Sequence, residues 1–297
     1  MLNNKGLWGR VALLGTALIW GSSFFIFKNT LNDIGTLWLL TIRFAVATVV
    51  FMAVCWRKVL KMPKRVFWGS VWMGLCMTAA YLFQTYGLVY TTAGKNAFLT
   101  ASYCVIVPFL AWGFYKRKPG KHNVAASVLC IAGIGFVSLD HGFGGMNIGD
   151  GLTLICGFFY ALQIVMTEEY VNECDALPLT TVQFAVSWLV CMVLALLFEP
   201  APQALPRNTY FTVAYLGVVS TAIAWFLQAW GMKYTPSSTA TVLMTLESVF
   251  GVIFAALFAN EQVSSGAMLG FVLILVSELL NELGAGLFNR KAPDALQ

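Results

Sequence analysis

Residues 84–91 read QTYGLVYT and residues 228–235 read QAWGMKYT, so glutamine, glycine, tyrosine and threonine recur at the same places in both stretches. The stretches are 144 positions apart, close to half of the 297 residues. Nearer the start of each half the offset is 140, where TIRFAV at 41–46 corresponds to TVQFAV at 181–186. The chain therefore reads as a tandem duplication, with one repeat in residues 1–145 and the other in 146–297.

The composition predicts a membrane protein. Hydrophobic residues make up 59% and charged residues 10% of the chain, against about 25% charged in a soluble domain. The apolar residues fall in runs of about 20, the length a helix needs to cross a bilayer, and no alternating segments typical of a β-barrel are visible. We predict an all-α membrane protein of ten transmembrane helices, at roughly 10–28, 34–56, 67–89, 93–115, 122–140, 149–169, 179–198, 209–232, 236–258 and 265–287.

The placement of charge predicts the orientation. With the N-terminus inside, fourteen lysines and arginines fall at inner positions and only three, Lys28, Lys95 and Arg207, at outer ones. Positive residues favour the cytoplasmic side, so both termini are expected in the cytoplasm and the protein in the inner or plasma membrane. The net charge of +5 reflects topology, and no exposed basic domain indicates nucleic-acid binding.

The repeats are predicted to be inverted. Each half contains five spans, and an odd number forces the second copy to enter the membrane upside down. Inverted-topology repeats are typical of secondary transporters, which bind substrate near the midplane between the halves. The pattern therefore favours alternating access, with duplication unrelated to transport as the alternative.

Several short stretches resemble one known family. They are WGSS at 20–23, LESVFG at 246–251, ANE at 259–261 and LIL at 273–275 after Gly270. Together and in order they resemble the ten-span EamA-type permeases of the drug/metabolite transporter superfamily. That resemblance implies export or exchange of small metabolites, with amino acids and aromatic or amphiphilic compounds prominent. The chain departs from the family pattern at Ser248, where proline is frequent, and at Arg117, which aligns with Glu261.

Two charged residues within spans are the first candidates for chemistry, because charges in a membrane are costly and mark functional sites. Glu247 lies near the centre of the ninth span and suits proton coupling or binding of a substrate amine. The alternative is a buried carboxyl that holds two helices together. Arg43 in the second span suits bidentate binding of a substrate carboxylate, or else acts as a structural hydrogen-bonding hub. Its counterpart in the second repeat is Gln183.

Polar and aromatic side chains at helical spacing predict a mixed cavity between the repeats. An amide in a membrane must face protein or water, although hydrogen bonding between helices explains such residues equally well. With Arg43 and Glu247, the predicted lining consists of Trp20, Tyr81, Gln84, Asn96, Thr100, Tyr103, Tyr160, Trp225, Gln228, Thr241 and Thr245.

Two backbone features accompany this set. Pro108 in the fourth span is a candidate gate hinge, or simply curves the helix. Gly266 and Gly270 form a GxxxG pattern, which packs helices closely. Packing within one chain explains it as well as dimerisation does, and a monomer is favoured.

Other functional classes lack their usual residues. The sequence contains no Walker A loop, HExxH or GxSxG, and its seven cysteines form no CxxC. We expect no catalytic activity, cofactor or metal, and name as partners a small-molecule substrate, the lipid bilayer and a proton as candidate coupling ion. The alternatives are a lipid-intermediate flippase or passive pore on the same scaffold, and then a membrane enzyme.

Overall fold

The computed structural model describes residues 2–116, 118–138, 147–170, 173–202, 205–235, 237–259 and 261–288, and every regular element in these ranges is a helix. The predicted all-α class is therefore confirmed. The elements are α1 (Leu2–Thr30), α2 (Thr36–Leu60), α3 (Lys64–Tyr90), α4 (Ala93–Thr100), α5 (Tyr103–Tyr115), α6 (Lys121–Ser138), α7 (Ile148–Tyr170), α8 (Ala176–Phe198), α9 (Arg207–Ala214), a π-helical segment (Tyr215–Ile223), α10 (Ala224–Tyr234), α11 (Ser237–Phe258) and α12 (Ser265–Phe288).

Length and hydropathy make this chain an integral, multi-pass membrane protein. Seven helical stretches in the described ranges are long and apolar enough to cross a membrane, and two of them are the composite stretches Ala93–Tyr115 and Arg207–Tyr234. The apolar helices Lys121–Val137, Leu243–Phe258 and Ser265–Asn281 are shorter. Large apolar side chains such as Leu197 and Val54 remain about two-thirds exposed, which fits a surface that faces lipid.

The glycine of the repeated stretch has the same structural role in both halves. A Cβ atom on Gly87 would lie 3.0 Å from the carbonyl oxygen of Gly149, and one on Gly231 would lie 2.9 Å from that of Gly9. Gly149 is the counterpart of Gly9 at the offset of 140. Each repeated glycine therefore lets α3 or α10 cross the first helix of the opposite repeat at close range. The duplicated sequence thus forms equivalent helix crossings in the two halves.

Interlocking between repeats continues through the rest of the bundle. The helix α2 packs on its counterpart α8, and α6 packs on α12. Where α6 and α12 cross, a Cβ atom on Gly270 would lie 2.7 Å from the carbonyl oxygen of Gly133. The close-packing glycine predicted at 270 is thus used within one chain.

The two ends of the bundle differ in their contacts. At the end where α1 begins, which we call the N-terminal face, Lys58 lies 2.5 Å from Asp175 and Arg65 pairs with Glu169 and Glu173. The hydrogen bond from Lys58 lowers the pKa of Asp175. At the opposite end, the far face, the end of α1 meets the end of α3, where Lys28 donates to the carbonyl of Thr91.

The fourth span is two helices rather than one. α4 ends at Thr100 and α5 begins at Tyr103, so the break lies six residues before Pro108. Proline has no N–H and leaves the carbonyl four residues earlier without its helical partner. That carbonyl belongs to Cys104 and accepts a hydrogen bond from Asn281 Nδ2 at 2.8 Å, while Asn281 Oδ1 accepts from Asn123 at 2.9 Å. Asn281, itself held by Asn123, therefore donates to the carbonyl that Pro108 leaves without a helical partner.

We expect Asn281→Leu to lower the free energy of unfolding by about 1–3 kcal/mol, because the carbonyl of Cys104 and the amide of Asn123 both lose a buried partner. Thermal unfolding in detergent measures the effect. The control is Asn32→Leu, since Asn32 lies in an exposed turn. Equal unfolding temperatures for Asn281→Leu and the unaltered protein would contradict this role.

Candidate functional site

A cavity of about 460 Å³ lies between the two repeats. Residues from both repeats line it, on α1 to α5 from the first and on α7, α8, α10 and α11 from the second. Toward the N-terminal face its wall extends to the exposed Glu168, and toward the far face it ends at Phe27 and Leu88, which are 5% and 2% exposed. The cavity therefore opens at the N-terminal face and is closed toward the far face.

Most of the predicted lining residues lie on this one wall. Thr245 instead lines a neighbouring cavity of about 20 Å³, which Thr100, Tyr103 and Glu247 also border. The side chain of Thr241 lies outside the described residues. The eleven that line the main cavity are Trp20, Arg43, Tyr81, Gln84, Asn96, Thr100, Tyr103, Tyr160, Trp225, Gln228 and Glu247.

Aromatic rings form two groups on the wall of the cavity. Trp20 meets Trp225 edge-on, with ring centroids 5.6 Å apart. On the other side Tyr160 lies 5.6 Å from Tyr81 and 6.2 Å from Tyr103. Such rings offer broad apolar contact with a few polar edges. The wall therefore suits a ligand with an apolar or aromatic portion.

Arg43 is held by contacts on several sides. Its guanidinium donates through Nε to the Thr221 hydroxyl, and Nη2 lies 3.4 Å from Ser220 Oγ. The same group lies over the rings of Phe27 and Tyr81, at 5.5 Å and 4.8 Å. Nη1 has no hydrogen-bond partner among the described residues. A guanidinium stays charged, so Arg43 brings a fixed positive charge to the cavity wall.

Glu247 is an acidic residue on the same wall. Its side chain is half-buried on α11, and it forms no hydrogen bond or salt bridge with any described residue. Among the described residues no salt bridge joins Glu247 to Arg43. Both groups are therefore available to a ligand that carries complementary charges.

The amide side chains on the cavity wall differ in how many of their hydrogen bonds are already made within the protein. Gln84 Nε2 donates to Thr100 at 3.2 Å, and Gln84 Oε1 accepts from Tyr160 at 3.3 Å. Asn96 is fully buried and donates to the carbonyl of Gln84 and to Thr153. Gln228 forms no side-chain hydrogen bond with a described residue. Asn96 thus serves mainly to join α4 to its neighbours, while Gln228 lines the cavity and its side chain bonds to no other residue that the structure describes.

A second polar cluster on the wall was not predicted from the sequence. Gln163 donates to Gln183 at 2.8 Å and to Thr167 at 3.3 Å, and all three residues line the cavity. At the offset of 140, Gln163 corresponds to Ser23 and Gln183 to Arg43, and those two line the cavity as well. The repeat offset was the signal that could have found them. The cavity therefore has two pseudo-equivalent polar clusters, of which only one is charged.

Two carboxylates of the second repeat close the far face onto the first. Glu199, just after α8, accepts from the backbone N–H groups of Leu37 and Trp38 at 3.1 and 3.2 Å. Glu261, after α11, accepts from those of Ala93 and Gly94 at 2.7 and 3.1 Å. Each carboxylate caps the start of α2 or α4, where the helix dipole favours negative charge.

Comparison with known proteins places these features in context. The model of the EamA-like transporter family matches residues 7–139 and 147–282. An uncharacterized transporter of Archaeoglobus fulgidus is 31% identical over 281 residues, covering 94% of this chain and 87% of that protein. The uncharacterized transporter YoaV of Bacillus subtilis is 21% identical over 91% of this chain and 95% of its own length. A solved crystal structure, 16% identical, has a TM-score of 0.67 and covers 92% of this chain and 98% of its own.

Proposed function

This chain belongs to the EamA-like transporter family, and we propose that it is a secondary transporter that carries small amphiphilic metabolites, amino acids among them, by alternating access. The observation that carries this proposal is the one-sided cavity between the repeats. It combines an aromatic wall with Arg43 and Glu247, each without a salt bridge among the described residues.

The chemistry of the cavity supports a zwitterion as substrate. A carboxylate of the ligand would pair with Arg43, an ammonium group with Glu247, and an apolar side chain would contact the rings of Trp20 and Tyr81. Small-molecule sites of this kind use a few placed polar groups among apolar walls. An aromatic amino acid has all three features.

The placement of lysine and arginine along the chain supports export as the direction of transport. We propose ten spans in two inverted repeats, residues 1–145 and 146–297, with both termini in the cytoplasm of a cell whose inner or plasma membrane holds the protein. The excess of basic residues at the inner positions supports this orientation. The cavity then opens toward the cytoplasm, the side from which an exporter loads, and a monomer contains a complete site.

Alternating access follows from the inverted repeats. If the repeats exchange conformations, the cavity closes at the N-terminal face and opens at the far face. The caps made by Glu199 and Glu261 must break in that exchange. Their counterparts in the first repeat by sequence, Val59 and Arg117, supply no carboxylate to close the opposite face in the same way.

Purified protein in liposomes tests the proposal with labelled L-phenylalanine as probe. We expect saturable exchange of internal for external L-phenylalanine. L-Phenylalaninamide, which lacks the carboxylate, and 3-phenylpropionate, which lacks the amine, should compete more weakly than L-phenylalanine itself. Protein-free liposomes are the control. Flux without saturation would instead indicate a passive pore, and movement of a lipid head group without amino-acid exchange would indicate a flippase.

We expect Glu247→Gln to raise the KM for L-phenylalanine about tenfold, because the ammonium group loses a charged partner worth roughly 1.4 kcal/mol. The KM for 3-phenylpropionate should stay the same or fall. Measuring both probes at several pH values also tests proton coupling. Unchanged KM values and an unchanged pH dependence would remove Glu247 from the site and leave it a structural carboxyl.

A further inference from the structure

The π-helical segment Tyr215–Ile223 lies against the residue that brings positive charge to the cavity. It extends over nine residues of the eighth span, and its Ser220 and Thr221 are the two hydroxyl groups that contact the Arg43 guanidinium. π-helical turns are rare and occur frequently at functional sites. The segment therefore lies where it can orient the Arg43 guanidinium.

The wider turn fixes the direction of the Thr221 hydroxyl. That hydroxyl lies 2.7 Å from the carbonyl oxygen of Leu216, five residues earlier, and donates to it. A hydroxyl has one proton, so its oxygen is left to accept from Arg43 Nε. In an α-helix the carbonyl in reach would be four residues back, as in the bonds of Thr41 and Thr48 in α2. The π turn therefore presents an acceptor to the guanidinium.

Ser220 connects the same turn to α1. Its hydroxyl lies 2.6 Å from that of Ser23, and its carbonyl accepts from the indole N–H of Trp20 at 2.9 Å. The N–H of Ala224 bonds to Val219 and Thr221 instead of Ser220. One turn of the second repeat thus positions both the charged group and an aromatic ring of the first.

The symmetry-related pair, Gln183 of the second repeat and α3 of the first, has no such π turn. By the offset of 144, the π segment corresponds to residues 71–79, which lie inside the uninterrupted helix α3. The counterpart of Arg43 is Gln183, whose amide accepts from Gln163. Arg43 and the π turn that contacts it are therefore each absent at the equivalent position of the other repeat.

We propose that Thr221, assisted by Ser220, is a positioning residue that holds the Arg43 guanidinium at the cavity wall and so sets the preference of the transporter for carboxylate substrates. This inference rests on the function proposed above. Thr221 acts through Arg43, because it does not itself line the cavity. With Nε and Nη2 occupied by the π turn, Nη1 remains for a ligand oxygen.

The test compares Thr221→Val with Thr221→Ser in liposomes. Valine keeps the shape of threonine but removes the acceptor, so we expect KM for L-phenylalanine to rise about tenfold with little change in the maximal rate. The ratio of competition by L-phenylalanine to competition by L-phenylalaninamide should fall by a similar factor. Serine keeps the hydroxyl and should restore both values.

The outcomes separate this inference from the function on which it rests. A normal KM and ratio in Thr221→Val, alongside a lost ratio in Arg43→Gln, would overturn the positioning role and leave the transporter intact. The absence of any carboxylate preference in the unaltered protein would overturn both. If Thr221→Val is not recovered in folded form, Ser220→Ala provides the test, with an expected rise in KM of about threefold.

Discussion

Arg43→Gln is expected to lower kcat/KM for L-phenylalanine about 10- to 100-fold, because a charge-assisted hydrogen bond to a carboxylate is worth roughly 1.5–3 kcal/mol. The KM for L-phenylalaninamide, which has no carboxylate, should change little. The difference between the two probes is the informative measurement. A general loss of activity for both would indicate that Arg43 supports the fold instead.

Arg43→Lys provides the stricter form of this test. Lysine keeps the charge but presents one compact ammonium group, which cannot bond to Thr221, lie over Phe27 and Tyr81, and leave a second nitrogen for the ligand. We expect it to lose about tenfold in kcat/KM. The matched control is Arg57→Lys in the same helix, since Arg57 is exposed and its guanidinium lies over the ring of Trp56. Wild-type transport by Arg43→Lys would mean that recognition needs only a positive charge at this position and not the several nitrogens of the guanidinium.

Much of this site was predictable because a polar side chain inside a membrane needs a partner in the protein or in a water-filled cavity. Gln84 and Gln228 had to face protein or water, and the repeat placed them in equivalent positions. Both line the cavity, as do Arg43 and Glu247. Composition and periodicity thus predicted the helices and much of the cavity wall, although the substrate role of each residue stays a prediction.

The remainder depends on contacts that the local sequence does not encode. The stretch YLGVVSTAI at 215–223 reads as any apolar helix, because an α turn and a π turn share the same pattern and neighbouring helices decide between them. Asn281 carried no signal either, since its partner is the carbonyl that Pro108 opens at Cys104. Glu199 follows α8 in the chain, and only the fold brings it to the start of α2.

Removal of the two carboxylate caps at the far face is expected to have the second large effect. Glu199→Ala combined with Glu261→Ala should shift the protein toward conformations that are open at the far face. Each carboxylate accepts two backbone N–H groups at a helix start, and the charge of a carboxylate strengthens such bonds. Losing about 1.5 kcal/mol at each cap would change the ratio of the two conformations by about 100-fold.

A cysteine at position 88 reports the shift. Leu88 is 2% exposed and lines the closed end of the cavity, so Leu88→Cys should react slowly with an impermeant maleimide applied from the far face. The seven native cysteines are replaced first. We expect the double alanine variant to react many times faster, the single variants to lie between, and Glu173→Ala, a control at the N-terminal face, to leave the rate unchanged. Equal rates in all variants would mean that the caps do not hold the far face closed, because breaking them would not expose the cavity.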